Sequence, residues 1–293
     1  MLIVKLQGGL GNQLFQYAAG RRLSLLHQST LKLDLSWFER HRSRRYALGA
    51  FNVLETFATK EEVDKIKGTF KRETSRFAFR FRQKMKPYYR RSIFAEPHLR
   101  PYDPNIEKTP KDLYLEGYWQ SEKYFRDIQD TIRREFTIVH EPDYQNQKLA
   151  EQIIGSESVS IHVRRGDYIV ESGLNRVHSP CGLDYYARCV NFMKEKVTNP
   201  VFFVFSDDPP WVRENMRLEF PTVYVTQNGP EKNYEDLRLM SVCKHNIIAN
   251  SSFSWWAAWL KSNPNKIVLA PMEWFNDPTL DTRDLLPENW VKL

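Results

Sequence analysis

The feature that most constrains this chain is the alternation in its second half. Short apolar runs of strand length take turns with longer stretches of helix length. Val159–Val163 reads as a strand and Leu183–Lys196 as a helix. Val201–Phe205 reads as a strand before a helix containing Trp211–Arg217. Thr222–Val225 precedes a helix from Tyr234 to Val242, Asn246–Ala249 precedes a helix from about Ser252, and Ile267–Ala270 follows as a strand. Such alternation is the pattern of an α/β protein with a doubly wound parallel sheet.

The opening of the chain repeats the theme. Leu2–Leu6 reads as a strand, Gly8–Gln13 as a loop, Leu14–His27 as a helix and Leu31–Leu35 as the next strand. Tyr114–Tyr118 is a further strand candidate, with a helix from about Ser121. At 293 residues the chain suits two domains of ordinary size. The expected division is 1–148 and 149–293, two Rossmann-like domains facing a cleft, with the boundary near Pro142–Leu149. Charged residues make up 27% and hydrophobic ones 41%, which excludes a disordered chain and a membrane-embedded one. The three cysteines, Cys181, Cys189 and Cys243, fit no zinc spacing and read as reduced thiols. The N-terminus runs straight into a strand without a signal-peptide layout. The expected location is the cytoplasm.

Three stretches carry chemistry. In LIVKLQGGLGNQLFQYA a strand meets a glycine-rich turn and then a helix, which offers backbone N–H groups to a phosphate. The turn matches neither the P-loop nor the dinucleotide fingerprint, because Leu14 stands at the third glycine position. In VSIHVRRGDYIVESG two permanent cations, Arg164 and Arg165, follow a buried strand at the edge where open α/β sheets bind ligands. Side chains alternate, so one arginine faces the crevice and the other anchors the loop, with Asp167 as its expected partner. In HNIIANSSFSWWAAWL, Asn250, Ser251 and Ser252 lead into an aromatic helix whose Trp255, Trp256 and Trp259 read as core. No Asp-x-Asp and no metal-spaced His or Cys cluster occurs, so a bound diphosphate must be met by arginine and helix N-termini.

Together these pieces resemble glycosyltransferase family 11, the α-1,2-fucosyltransferases. The segments that carry the likeness are GGLGNQLFQYA, GYWQSEKYF, HVRRGDY and DLRLMSVCKHNIIANSSFSWWAAWL, and they span most of the chain. The resemblance implies a GT-B fold, with an acceptor-side domain first and a GDP-fucose-binding domain second. It implies inverting, metal-independent transfer of L-fucose from GDP-β-L-fucose to the 2-hydroxyl of a terminal β-galactoside, without a cofactor. By the same resemblance Arg164 holds the donor β-phosphate and His162 is its neighbour in the nucleotide pocket. Asp236 faces guanine, Ser251, Ser252 and Phe253 sit where a helix start meets the nucleotide, and Gly9, Gly11 and Asn12 belong to a donor-side loop. Arg165 joins this donor-binding set. Related α-1,6 enzymes carry a glutamate further along the arginine motif; here that position is Ser172, with Glu171 beside it. Asp167 and Glu171 are therefore the candidates for the base, alongside Arg164 in the catalytic set.

The net charge of +7 is concentrated in one place. Lys71–Arg91 holds nine Lys or Arg against the single acid Glu73, which leaves the rest of the chain close to neutral. Phe77, Phe81 and Met85 lie on one stripe if the segment is helical, while Phe77, Phe79 and Phe81 alternate as in a strand. A basic helix with an aromatic face is a candidate contact with an anionic membrane. The ordinary alternative is a solvated insertion. A fucosyltransferase of another linkage is the nearer alternative; a nucleic-acid-binding protein and a non-catalytic nucleotide-binding domain, in that order, are the rival functions of a different class. The nucleic-acid reading is disfavoured because the charge is confined to one segment and no RRM, KH or zinc pattern is present.

Overall fold

A computed structural model describes residues 1–69, 73–96, 101–165, 180–261 and 263–293. The chain divides into two units. One comprises Met1–Thr137 with Asp281–Leu285, the other Ile138–Leu280 with Leu286–Leu293.

The first unit holds β1 (Leu2–Lys5), α1 (Leu10–Leu26), β2 (Leu31–Asp34), α2 (Lys60–Lys67), α3 (Glu73–Lys84), β3 (Ile93–Ala95), β4 (Leu113–Glu116) and α4 (Gln129–Glu135). Its strands pair in parallel in the order β2-β1-β4-β3. Leu2, Ile3, Val4, Leu33, Leu113 and Leu115 are all buried, as strands covered on both faces must be. The segment expected as a loop is shorter than the sequence suggested. Gly9 adopts an extended backbone at the N-cap, and α1 begins at Leu10, so Gly11 and Asn12 lie in its first turn. Past Ser121 the expected helix begins as two 3₁₀ turns, Glu122–Tyr124, capped by Ser121, and Arg126–Ile128, and becomes α-helical only at Gln129. Within the described part of the basic segment, Glu73–Lys84 forms helix α3 and Tyr88–Arg90 a 3₁₀ turn.

The second unit holds α5 (Tyr144–Ile154), β5 (Glu157–Val163), α6 (Leu183–Lys196), β6 (Pro200–Ser206), α7 (Pro209–Asn215), β7 (Thr222–Val225), α8 (Asn233–Val242), β8 (His245–Ile247), α9 (Ser252–Leu260), β9 (Val268–Ala270) and β10 (Val291–Lys292). All pairs are parallel, in the order β7-β6-β5-β8-β9-β10. This is the Rossmann strand order, with β5 as the first strand of the pattern. Strand β5 packs Val159, Ile161 and Val163 against Tyr185, Cys189 and Met193 of α6. Helix α9 is itself largely core, with Trp255, Trp256 and Trp259 buried.

Helix α1 lies close on its sheet because Gly20 faces it. A side-chain carbon built on Gly20 meets Leu31 Cδ1 at 3.1 Å and Val4 Cβ at 3.2 Å. A β-branched side chain there pushes the helix off β1 and β2. Gly20→Val is therefore expected to destabilise the chain by about 2 kcal/mol, the usual scale of core overpacking. Denaturant unfolding compared with wild type checks this.

Candidate active site

In the second sheet the chain leaves β5 toward β6 on one side and later returns through β8 on the other. Crossovers therefore run in opposite directions from this pair, the arrangement at which open α/β sheets bind ligands beyond the carboxyl ends. The two motifs expected there do meet at that edge. His162, the penultimate residue of β5, is 4% exposed, and its ring lies 5.7 Å from the ring of Phe253 in the first turn of α9. Burial, with the Arg164 cation nearby, pushes the His162 pKa down to about 3, so the imidazole is neutral at physiological pH. Its Nδ1 is buried without a hydrogen-bond partner among the described residues. Tyrosines at the start of α6 pin the strand ends. Tyr186 Oη donates to the His162 carbonyl at 3.1 Å, and Tyr185 Oη donates to the Ile248 carbonyl at 2.7 Å.

The arginine pair is met by an aspartate pair. Arg164 Nη1 lies 3.1 Å from Asp207 Oδ2, and Arg165 Nε lies 3.6 Å from Asp208 Oδ2. The Arg165 backbone N–H also donates to Asp207 Oδ1 at 2.8 Å. Arg165 stacks its guanidinium over Trp211, 3.5 Å from the ring centroid, and Asp208 caps α7 by accepting from the Trp211 N–H. Both segments thus present alternate side chains to each other. Arg165 is held by a flat aromatic face and a carboxylate, while Arg164 has its fork seated on Asp207. Asp167 and Glu171 lie outside the described residues, as does Ser172.

At α9, the Ser251 side chain accepts from the Phe253 N–H, and Ser252 opens the helix with no acidic residue in its first turn. Asn250 is buried, accepting from the Cys181 thiol at 3.5 Å and donating from Nδ2 to the Trp274 carbonyl at 3.1 Å. Asp236 stands in the first turn of α8. One of its oxygens accepts from Asn228 Nδ2 at 2.8 Å. Asn228 is itself fixed by a reciprocal amide pair with Asn146, at 2.9 and 3.0 Å, and Asn146 is anchored to Asp143 at the N-cap of α5. Burial pushes the Asp236 pKa up to about 7, Asn228 opposing this and Glu235 adding to it. The Asp143–Asn146–Asn228 chain was not read from the sequence. Its one available signal was Asp143, a helix-start residue before an amphipathic run.

In the first unit β1 and β4 lie side by side. The glycine motif follows β1 and the GYWQ motif follows β4, and they join where Gln120 Nε2 donates to Asn12 Oδ1 at 2.8 Å. Gly8 has φ +78°, and a side chain there would meet Asn12 Nδ2 at 2.7 Å, so only glycine fits. Gln13 Nε2 donates to the Gly8 and Arg45 carbonyls at 3.0 and 2.8 Å, and Gln16 accepts from the Gln7 N–H at 2.9 Å. The Arg44 guanidinium reaches within 3.9 Å of the point where a Gly9 side chain would begin. Sequence reading passed over Arg44 because it sits in a polar loop with no periodicity. Among the described residues no group of three or more His, Cys, Asp or Glu could hold a metal ion.

A Rossmann sheet edge that carries an arginine set on an aspartate and a buried neutral histidine defines the class as α/β proteins of the kind that bind ligands beyond the carboxyl ends of their strands. The chain belongs to Glycosyl transferase family 11, whose sequence profile matches residues 1–293. It is thus a glycosyltransferase. An alpha-1,2-colitosyltransferase of Escherichia coli is 33% identical over all of this chain and 99% of its own length. The O-antigen biosynthesis glycosyltransferase WbnK of Escherichia coli is 34% identical over 98% of this chain and 99% of its own. Galactoside alpha-(1,2)-fucosyltransferase 1 of Rattus norvegicus is 31% identical over 50% of this chain and 42% of its own. Among solved structures, NodZ alpha-1,6-fucosyltransferase soaked with GDP-fucose superposes with a TM-score of 0.51 at 15% identity, over 88% of this chain and 91% of that one. An Arabidopsis thaliana FUT1 variant in complex with GDP gives 0.53 at 12% identity, over 98% and 74%. At these identities the likeness is one of fold, and that fold is the GT-B architecture of fucosyltransferases.

The Asn228 amide is the donor that steadies the Asp236 carboxylate. In Asn228→Ala the Asp236 pKa is expected to rise further above about 7, because a stabilising hydrogen bond to the charged form is lost. Titration of the carboxyl carbon by ¹³C NMR reads the shift directly.

Proposed function

We propose that the chain transfers L-fucose from GDP-β-L-fucose, with inversion, to the 2-hydroxyl of a terminal β-galactoside. The observation that carries this reading is Arg164, seated at the carboxyl end of β5 beside a buried neutral His162. A relative named for α-1,2 transfer, matched end to end, supports the linkage. The rat relative named for a galactoside supports the acceptor. In this reading the second unit takes the nucleotide sugar and the first serves the acceptor.

As the acceptor hydroxyl attacks the anomeric carbon, negative charge grows on the departing β-phosphate. Arg164 meets that charge, and because Asp207 already holds its guanidinium, little reorganisation is needed when the bond breaks. The N–H groups opening α9, with Ser251, Ser252 and Phe253 around them, add partial positive charge. Arg165 fixes the loop that carries Arg164 and completes the donor-binding set. Asp236 takes guanine through its second oxygen, and His162 lies against the nucleoside beside Phe253. Gly9, Gly11 and Asn12 shape the donor-side turn of the first unit. The base that accepts the hydroxyl proton is assigned to Asp167 or Glu171. With charge met in this way the reaction needs no metal ion. The same reading places the chain on the cytoplasmic face of a membrane, in peripheral contact through the basic segment Lys71–Arg91.

A second reading follows from the colitosyltransferase relative, 33% identical end to end. Colitose is fucose without its 3-hydroxyl, so a donor of that class fits the same nucleotide edge with a different sugar contact.

The direct test is incubation with GDP-fucose or GDP-colitose and a panel of β-galactosides in excess chelator, with the product linkage determined. Fucosyl transfer to a 2-hydroxyl is expected. Transfer from GDP-colitose alone favours the second reading, and a strict need for added metal overturns the mechanism. In the same assay Arg164→Ala is expected to lose about a hundredfold or more in kcat, roughly 3 kcal/mol, and Arg164→Lys to be poor because its point charge cannot replace the fork.

A further expectation concerns pH. GDP-fucose has no group that titrates near neutrality, so the pH dependence of its binding reports the protein. Asp236 must be ionised to accept from guanine, and its pKa in the free chain is about 7. The dissociation constant, measured calorimetrically without acceptor, should rise as pH falls below that value, approaching about tenfold per unit. Asp236→Asn should bind weakly at every pH with a flat profile.

A further inference from the structure

Helix α3 turns its apolar stripe outward. Phe77 is 74% exposed, Phe81 59% and Met85 73%, the last continuing the helical turn through its N–H to the Phe81 carbonyl. Spaced four apart, the three fall within about 80° of one face. The opposite face is the one that packs on the first unit. Phe79 lies over Gly68, and Gln83 accepts from the Ser92 N–H at 2.9 Å. The stripe is therefore not a misplaced core face.

Cations border it on both sides. By the same helical geometry Arg80 and Lys84 fall along one margin of the stripe and Arg82 along the other. From Thr74 to Arg91 the sequence holds seven Lys or Arg and no Asp or Glu. A protein partner that buried the phenylalanines would also have to desolvate these flanking cations. An anionic bilayer takes both at once. Aromatic and thioether side chains enter the boundary between headgroups and acyl chains, and the cations stay at the level of the phosphates.

We propose that α3 is an in-plane membrane anchor, which seats Phe77, Phe81 and Met85 below the headgroups of an anionic lipid surface with Arg80, Arg82 and Lys84 on the phosphates. This rests on the peripheral location proposed above and specifies its chemistry. The first unit is thereby held with the outer face of α3 toward the bilayer, so that acceptors presented at a lipid surface are favoured over the same glycan free in water.

The test uses the full chain and sedimentation with vesicles of phosphatidylcholine alone or mixed with phosphatidylglycerol. Wild type should pellet with the mixed vesicles and release at high salt. The triple variant Phe77→Ser, Phe81→Ser, Met85→Ser, and separately Arg80→Glu, Arg82→Glu, Lys84→Glu, should each lose about tenfold or more in partitioning. Both variants change outward side chains, so far-UV circular dichroism and transfer to a water-soluble acceptor should match wild type. Equal pelleting of the serine variant overturns the anchor while leaving electrostatic peripheral contact standing. Absence of binding to any vesicle overturns both readings. Equal binding to pure phosphatidylcholine overturns the role of the cations. A serine variant that converts a wild-type dimer to a monomer in light scattering reassigns the stripe to self-association, and loss of an RNA or DNA gel shift reassigns it to nucleic acid; either overturns the proposal.

Discussion

Parallel pairing is the constraint on which the rest of this structure depends. A strand cannot reach a parallel neighbour by a tight turn, so the chain crosses back through a helix or long loop each time, and the hand of that crossing is nearly fixed. Two consequences follow at once. Within each sheet every strand's carboxyl end faces the same edge, and in the second unit the direction of winding reverses at the gap between β5 and β8, while β1 and β4 lie side by side in the first. Loops diverge at that gap and leave room beside the sheet. The residues with no structural reason to be charged or polar in a buried strand end collect there: His162, Arg164, Asn250 and Ser251 in one unit, Gly8 to Asn12 and Gln120 in the other.

The edge then has to hold charge without losing the fold. Two arginines at the end of a buried strand repel each other and pay for desolvation unless something answers them. The answer is the aspartate pair at the end of β6, next in the sheet, with Trp211 taking one guanidinium face. The geometry holds the two arginines differently. Arg165 lies against the Trp211 ring with Asp208 beside it, whereas Arg164 is set on Asp207. His162 contributes the opposite property. A neutral ring beside a fixed cation adds shape and a hydrogen-bonding nitrogen without adding to the repulsion. Asp236 is held near neutrality's edge by the same logic, buried and supported by an uncharged amide in place of a cation.

Much of this was legible in the residues because buried parallel strands write themselves as unbroken apolar runs. Val159–Val163 and Val201–Phe205 could hardly be anything else, and α6 was read with its observed ends. Elements without such a run were missed. Strand β3 has three residues and β10 two, too short for any period, and both exist only because a neighbour is already in place. Helix α5 begins inside the stretch read as a domain boundary, since Pro142 and Asp143 look equally like a linker and a helix start. At the site, the sequence could name the arginines but not their partners. Asp207 and Asp208 lie more than forty positions away in the chain, and only the pairing of β5 with β6 brings them beside Arg164 and Arg165. The Asn146–Asn228 pair is invisible for the same reason, being two common polar residues joined only by the fold.

Helix α3 shows the remaining kind of ambiguity and how structure removes it. Phenylalanine at 77, 79 and 81 satisfies a strand's period, and 77, 81 and 85 satisfies a helix's, so no count over the sequence alone decides between them. Tertiary contact decides. Phe79 and Gln83 have somewhere to go, against Gly68 and the Ser92 backbone, only if the segment is helical. Once that inner face is fixed, the outer face follows without further choice, and it carries Phe77 and Phe81 between basic residues. A soluble helix normally spends its apolar residues inward and its charges outward. Here Phe79 and Gln83 face inward while Phe77, Phe81 and Met85 are turned out, which inverts the usual arrangement.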